Sequence, residues 1–170
     1  KNRYTITYNG EIYNYIELRK ELEAEDYSFK SNTDTEVIMA SYDFWGIDCV
    51  KKFNGMWAFV IYDRQKGNFF ISRDRFGIKP LYYTKNEKNF IFGSEIKAII
   101  AHPEINSEPN VEYLNSYIED GPNEYGEITS FKRILRFPFA HSFEGTAEDL
   151  SSNFLPKRYW FIKPNLSKEK

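Results

Sequence analysis

Two strand–turn–strand patterns in a row, between residues 56 and 94, most constrain what this chain can fold into. Each pattern has two apolar runs joined by a short polar segment: MWAFVIYD, RQKG and NFFISRD, then LYYTK, NEK and NFIFGS. Apolar runs with such connections are typical of antiparallel strands that pair as hairpins. The sequence therefore predicts antiparallel sheet rather than the alternating strands and helices of a parallel sheet.

The residues before this region predict one strand and several helices. RYTITY, residues 3–8, reads as a strand that Asn9-Gly10 breaks, and Asn14 and Glu17 fit a capping box at the start of a helix over 14–26. The other predicted elements are a short extended piece at 27–31, helices at 33–45, 49–53, 95–102 (capped by Ser94) and 110–120, and further strands at 129–137 and 158–162. Helices followed by hairpins favour sheets covered by helices.

Composition and charge exclude several classes of protein. The chain has 170 residues, a length that suits one domain, and its net charge of −2 gives no basic surface for nucleic acid or an anionic membrane. No apolar run is long enough to span a bilayer. The single cysteine, Cys49, excludes an internal disulfide and reads as a packing residue, and no metal site is expected. We expect a cytoplasmic protein.

The first candidate site is Asn9-Gly10-Glu11, which follows a predicted strand and precedes a predicted helix. Backbone N–H groups at such a junction lack partners, glycine allows close approach of a ligand, and an Asn amide can add a donor. Together these groups could stabilise an oxyanion, while Glu11 could hold an ammonium group. Taken alone, the three residues are explained as well or better by a plain turn.

Two further clusters have a structural and a functional interpretation. Asp34 can cap the helix that it precedes, or it can face a ligand pocket instead. Arg73, Asp74 and Arg75 form dense charge at a strand end, which fits a buried ion-pair network or a phosphate site. Because no glycine-rich phosphate loop accompanies them, the sequence favours the structural interpretation.

The order and spacing of four stretches make the pattern specific. They are YNGEIYNYIELRKELE, FKSNTDTEVIMASY, CVKKFNGMWAFVIYD and ISRDRFGIKPLYYTK. In this order they resemble the glutaminase domain of glutamine-dependent asparagine synthetases, which are class II glutamine amidotransferases of the N-terminal nucleophile hydrolase type. The resemblance extends from about Tyr4 to Ile100.

The resemblance implies a fold and a set of site residues. The fold is α+β, a four-layer αββα sandwich of two antiparallel sheets with helices on both outer faces, here lacking its N-terminal strands. Residues 1–162 would form the glutaminase domain, and 163–170 a polar tail toward an absent synthetase domain. Asn9 and Gly10 would form the oxyanion hole, and Glu11 and Asp34 would hold the α-ammonium group of the substrate, glutamine.

The family's nucleophile, an N-terminal cysteine, has no counterpart in this sequence. We therefore expect a fragment that does not hydrolyse glutamine alone, cut from a protein that supplies ammonia for ATP-dependent amidation of aspartate or a related carboxylate. ATP and Mg²⁺ would bind the synthetase domain of the same polypeptide, with no cofactor in this domain, and a homodimer is possible. The alternatives are a non-catalytic glutamine-binding or scaffold module of the same fold, and a β-rich interaction domain without a ligand.

Overall fold

The structure, a computed structural model, describes residues 3–121 and 126–163. Its strands are β1 (Tyr4–Ile12), β2 (Gly55–Asp63), β3 (Asn68–Arg73), β4 (Tyr82–Lys85), β5 (Phe90–Gly93), β6 (Leu135–Arg136), β7 (His141–Thr146) and β8 (Lys157–Arg158). Its helices are α1 (Tyr15–Glu23), α2 (Asp34–Trp45), α3 (Cys49–Lys52), α4 (Ile96–Ile100), α5 (Val111–Asp120) and α6 (Ala147–Ser152). None of the helices in the described ranges is long and apolar enough to cross a membrane.

The strands form two antiparallel sheets, as predicted. One has the order β1-β2-β3-β7-β8 and the other the order β5-β4-β6. Both predicted hairpins are present, because β2 pairs with β3 and β4 pairs with β5 in antiparallel register. The α+β prediction with two antiparallel sheets is therefore confirmed.

Two apolar cores fix the layers of the fold. The first core joins α1, α2 and α3 to the five-stranded sheet through buried residues such as Leu22, Ile38 and Trp57. The second lies between the sheets and includes Val60, Tyr83 and other buried residues. The short α4 packs against β4 and β5 of the three-stranded sheet.

Three local predictions were wrong because contacts with distant segments replace the local ones. The strand β1 does not break at Asn9-Gly10 but continues to Ile12 in register with β2. The Asn14 side chain bridges Lys52 O and Asn54 N (3.0 and 2.8 Å) instead of capping α1. No side-chain cap is present at α4, so Ser94 does not act as its cap.

The C-terminal third differs most from the sequence prediction. Only Leu135–Arg136 of the predicted strand at 129–137 is a strand, and 158–162 contributes only the end of β8. The residues at 27–31 form no strand. The structure adds β7 and α6, neither of which was predicted, and α6 begins with a capping box between Thr146 and Asp149. The proposed tail falls outside the described residues beyond position 163.

One charged network fastens the start of β1 to its neighbours. Arg3 donates to both oxygens of Asp63 (3.0 and 2.7 Å) and to Asp43 on α2 (2.6 Å). Asp63 is 1 % exposed, and the hydrogen bonds from Arg3 hold the pKa of its carboxyl group below the usual value. The ionised carboxylate therefore stabilises the folded state.

This coupling predicts a specific pH dependence of stability. A lowered pKa in the folded state gives stability that is present above the ordinary Asp pKa of about 3.9 and lost as pH falls through the folded-state pKa. We expect the free energies of unfolding of the parent and of Asp63→Asn to differ most near neutral pH and to converge in acid. Urea titrations across the pH range measure this, and a difference that stays constant into acid would contradict it.

Candidate functional site

The site is built on the C-terminal half of β1, the last strand of its sheet in the described part of the chain. Its neighbour β2 lies on one side only, and the backbone N–H of Ile12 points to the other side, where it donates to Asp34 Oδ2 at 3.0 Å. In an antiparallel strand, alternate residues direct their N–H groups to the same side. The N–H of Gly10 therefore points to this outer edge as well.

Asp34 is held against this edge rather than used as a helix cap. It is the first residue of α2, whose N-cap is Thr33, and no side-chain cap bond is present. Its Oδ2 accepts from the Tyr8 hydroxyl at 2.7 Å and from Ile12 N at 3.0 Å, whereas no donor of the described residues reaches Oδ1. The capping interpretation of Asp34 is therefore wrong, and one carboxylate oxygen remains available to a ligand.

Glu11 and Asp34 act on the same hydroxyl group. Burial is the largest cause of the raised pKa of Tyr8, followed by the hydrogen bond to Asp34, and the negative charges of Asp34 and Glu11 raise this pKa further. The Glu11 side chain is exposed. Among the ion pairs of the described residues, none includes either carboxylate. Strand alternation directs Glu11 to the same face of β1 as Asn9, whereas Asp34 meets Tyr8 and Ile12 of the opposite face, so the two carboxylates flank the β1 edge without an ion pair in the described residues.

Asn9 points to the other face of the sheet. Its Nδ2 donates to Ser94 Oγ at 3.3 Å, which connects β1 to the residue just after β5. A cavity of about 90 Å³ lies here between the two sheets, lined by Asn9, Ser94 and residues of β2 and β5. The structure thus brings Gly10 and Asp34 to one edge, and it places the carboxamide of Asn9 beside a separate small cavity.

Gly10 is required by close packing, not by a turn. A Cβ atom there would lie 2.3 Å from Met56 O and 2.8 Å from the Tyr8 ring, distances that real Cβ atoms do not show. The absence of a side chain lets β1 approach β2 and lets the Tyr8 ring lie over position 10. Glycine at position 10 thus leaves room for the Tyr8 ring in the position from which its hydroxyl reaches Asp34.

We expect Gly10→Ala to lower the free energy of unfolding by about 1–3 kcal/mol, because the backbone at Met56 cannot move as a side chain would. Gly93→Ala is the matched control, since a Cβ at that strand position has its first neighbour at an ordinary 3.6 Å. Chemical denaturation of both variants measures the difference. Equal stabilities of the two variants would contradict the packing argument.

The segment after β3 has the structural role that the sequence favoured, but not by ion pairing. Arg73 donates to three backbone carbonyls, those of Gly77, Lys79 and Phe137. Asp74 accepts from backbone N–H groups of the same loop and of β2. No ion pair joins the charged residues 73–75 in the described structure, so the expected ion-pair network is wrong in kind, and the charges instead fix the backbone of the loop.

Cys49 has the environment of a packing residue. It is fully buried in the core beneath α2 and α3, and burial raises the pKa of its thiol. A buried, protonated thiol is a poor nucleophile, since the thiolate is the reactive form. The interpretation of Cys49 as a packing residue is therefore confirmed.

Two residues of this region were not predicted from the sequence to belong to a site: Tyr8, and Ser94, which was predicted only as a helix cap. Strand alternation places Tyr8 on the same face as Ile12, which is the only sequence signal that could have connected it to α2. Ser94 is 85 residues from Asn9, and no local pattern indicates that contact. The contacts of both residues depend on how distant segments of the chain pack together.

The comparisons with known proteins agree with this architecture. The model of the glutamine amidotransferase domain family matches residues 1–160. The chain is 41 % identical over 160 residues to asparagine synthetase [glutamine-hydrolyzing] 3 of Bacillus subtilis, covering 94 % of this chain and 25 % of that protein. It is 54 % identical over 106 residues to a putative asparagine synthetase [glutamine-hydrolyzing] 2 of Methanocaldococcus jannaschii, covering 62 % and 20 %. The chain thus spans about a quarter or less of the length of these relatives.

Among solved structures, the fold is similar to glutamine phosphoribosylpyrophosphate amidotransferase of B. subtilis. The TM-score is 0.59 at 15 % identity, over 85 % of this chain and 27 % of that one, so the likeness concerns the fold alone. The family model and the sequence relatives cover nearly the whole chain. On these grounds the chain is a class II glutamine amidotransferase domain related to the glutamine-dependent asparagine synthetases.

Proposed function

We propose that this domain binds glutamine at the outer edge of β1 and is the glutaminase part of an asparagine synthetase-like amidotransferase. The observation that carries the proposal is the Asp34 carboxylate, held without a protein cation at the same edge as the outward N–H of Gly10. We assign Glu11, an exposed carboxylate on the same strand, as the second partner of the ammonium group. Glutamine brings an ammonium group to the carboxylates and an amide carbonyl to the N–H. One small molecule therefore supplies both a cation for the carboxylates and an acceptor for the N–H.

The spacing along β1 suits this ligand. Ile12 N marks the position of Asp34, and Gly10 N lies two residues away, about 7 Å along a strand. That separation is comparable to the distance between the two ends of a glutamine molecule. We assign Gly10 N–H to the oxyanion that forms when the amide is attacked, and such a donor contributes on the order of 3 kcal/mol to catalysis. We assign the Asn9 carboxamide to the same oxyanion, a role for which it would have to leave its bond to Ser94.

Hydrolysis requires a nucleophile that these residues do not supply. Cys49, the single cysteine of the sequence, is buried, and burial raises the pKa of its thiol, which makes it a poor nucleophile. We propose that the reaction uses a nucleophilic cysteine outside this sequence, and that the 170 residues alone release no glutamate from glutamine. The curated relatives are described as glutamine-hydrolysing asparagine synthetases. The ammonia would then amidate aspartate or a related carboxylate in a synthetase domain that holds ATP and Mg²⁺.

The test is glutamate release from glutamine by the protein expressed from its complete gene. Release that is lost in Asp34→Ala supports the proposal. Binding of glutamine by calorimetry without any release would indicate the alternative, a non-catalytic glutamine-binding module. Neither binding nor release would overturn the proposed function and leave only the β-rich interaction domain.

A further inference from the structure

Tyr8 connects the proposed ammonium-binding carboxylate of Asp34 to the packed face of the sheet. Its ring packs against the core formed with α1 and α2, and its hydroxyl donates to Asp34 Oδ2 at 2.7 Å. The same oxygen accepts from Ile12 N at 3.0 Å. Two donors on one carboxylate oxygen fix the rotation of the carboxylate and leave the other oxygen for a ligand.

We propose that Tyr8 is a positioning residue for glutamine: its hydroxyl holds the Asp34 carboxylate so that Oδ1 faces the ammonium group of the substrate. The inference rests on the proposed function of the same site. Tyr8 does not touch the ligand in this account, because the hydroxyl proton is already donated to Oδ2. Its effect on glutamine passes through Asp34.

Gly10 makes this arrangement possible. A side chain at position 10 would meet Tyr8 Cε2 at 2.8 Å, so the ring occupies space that only glycine leaves open. The backbone N–H assigned to the oxyanion and the hydroxyl that orients Asp34 are therefore set by one packing contact. Removing the hydroxyl while keeping the ring therefore alters the ammonium end of the site and leaves the N–H of Gly10 in place.

The hydroxyl keeps its role over a wide pH range. Burial, the hydrogen bond to Asp34 and the negative charges of Asp34 and Glu11 all raise the pKa of Tyr8. The group stays protonated and can act only as the donor to Oδ2. Removing the oxygen atom alone, in Tyr8→Phe, therefore isolates this donor while keeping the ring that packs in the core.

Tyr27 provides a matched control within the same chain. Its hydroxyl donates to Asp43 Oδ2 at 2.8 Å, near the C-terminal end of α2, and burial raises the pKa of Tyr27 to about 12. Asp43 is nine residues from Asp34, which is about 13 Å along a helix. Tyr27→Phe thus removes the same kind of hydrogen bond from the same helix, away from the site.

The experiment measures steady-state glutaminase kinetics and glutamine binding with the protein expressed from its complete gene. In Tyr8→Phe we expect the KM and the Kd for glutamine to rise about threefold to tenfold, with kcat within about twofold of the parent. Tyr27→Phe should change neither constant. In the background of Asp34→Asn, Tyr8→Phe should have no further effect on Kd, because the negative charge that Tyr8 orients toward the ammonium group is gone.

The outcomes separate this inference from the proposed function. If the parent and Tyr8→Phe bind glutamine with the same Kd, the positioning role is wrong and the proposed function stands. The same holds if Tyr8→Phe raises the Kd by the same factor in the Asp34→Asn background as in the parent. A fall in kcat at unchanged KM would also contradict the role. If the parent does not bind glutamine at all, both are overturned.

Discussion

Replacing Asp74 by Asn is expected to destabilise this protein by about 3–5 kcal/mol, the largest stability effect that we expect from a single substitution here. Asp74 is 1 % exposed, and its two oxygens accept four backbone N–H bonds, from Trp57, Phe76, Ile78 and Lys79 (2.9–3.2 Å). An Asn side chain would turn an NH₂ group toward some of these donors. The donors would then be buried without an acceptor.

The loss should also loosen the loop that follows β3. The backbone of Asp74 is bonded to Trp57 and Ala140, and the neighbouring Arg73 ties the loop to Phe137. Equilibrium unfolding in urea measures the effect, and Asp48→Asn is the matched control because Asp48 is largely exposed and pairs with Lys51 on the surface. A difference of less than about 1 kcal/mol between the two variants would contradict the assignment of Asp74 as the anchor of the loop.

Asp34→Asn is expected to weaken glutamine binding by about tenfold to a hundredfold. The substitution keeps the shape of the side chain and an oxygen that Tyr8 and Ile12 can reach, but it removes the charge that faces the ammonium group. We expect a smaller loss in Glu11→Gln, because Glu11 is exposed and its interaction with a cation is screened by solvent.

The control for this prediction is Glu17→Gln. Glu17 is also an acidic residue in the first turn of a helix, but on α1, and it is exposed. Calorimetry with the protein from the complete gene gives the dissociation constants of all variants. Equal losses in Asp34→Asn and Glu17→Gln would indicate a general effect of helix-end charge instead of a binding role.

The parts of the fold that the sequence predicted are those set by neighbouring residues. Both hairpins follow from apolar runs and short polar connections, and their register joins residues close in the chain, such as Asp63 with Asn68. The helix over Asp34–Trp45, which stops before Gly46, likewise follows from local signals. By contrast, β7 has only two buried residues, Ser142 and Phe143, so its apolar pattern is too weak to indicate a strand.

The residues of the proposed site were named from the sequence, but their spatial arrangement could not be derived from it. Asn9-Gly10 has the composition of a turn, yet the glycine is needed because Met56 O lies against it, a contact 46 positions away in sequence. Local residue preferences also predicted Asp34 as a helix cap, whereas its carboxylate accepts a hydrogen bond from Ile12 N at the unpaired edge of β1. Neither the edge nor the approach of Tyr8 can be seen before the strands and helices are placed together.

The most direct measurement pairs a change in the protein with a change in the ligand. Calorimetry would compare glutamine with 4-carbamoylbutanoate, which is glutamine without its amine, on the parent protein and on Asp34→Asn. We predict that the parent binds glutamine at least about tenfold more tightly than the amine-free ligand, and that Asp34→Asn removes most of this preference. Equal affinity of the parent for the two ligands, or an undiminished preference in Asp34→Asn, would show that this edge does not hold the ammonium group.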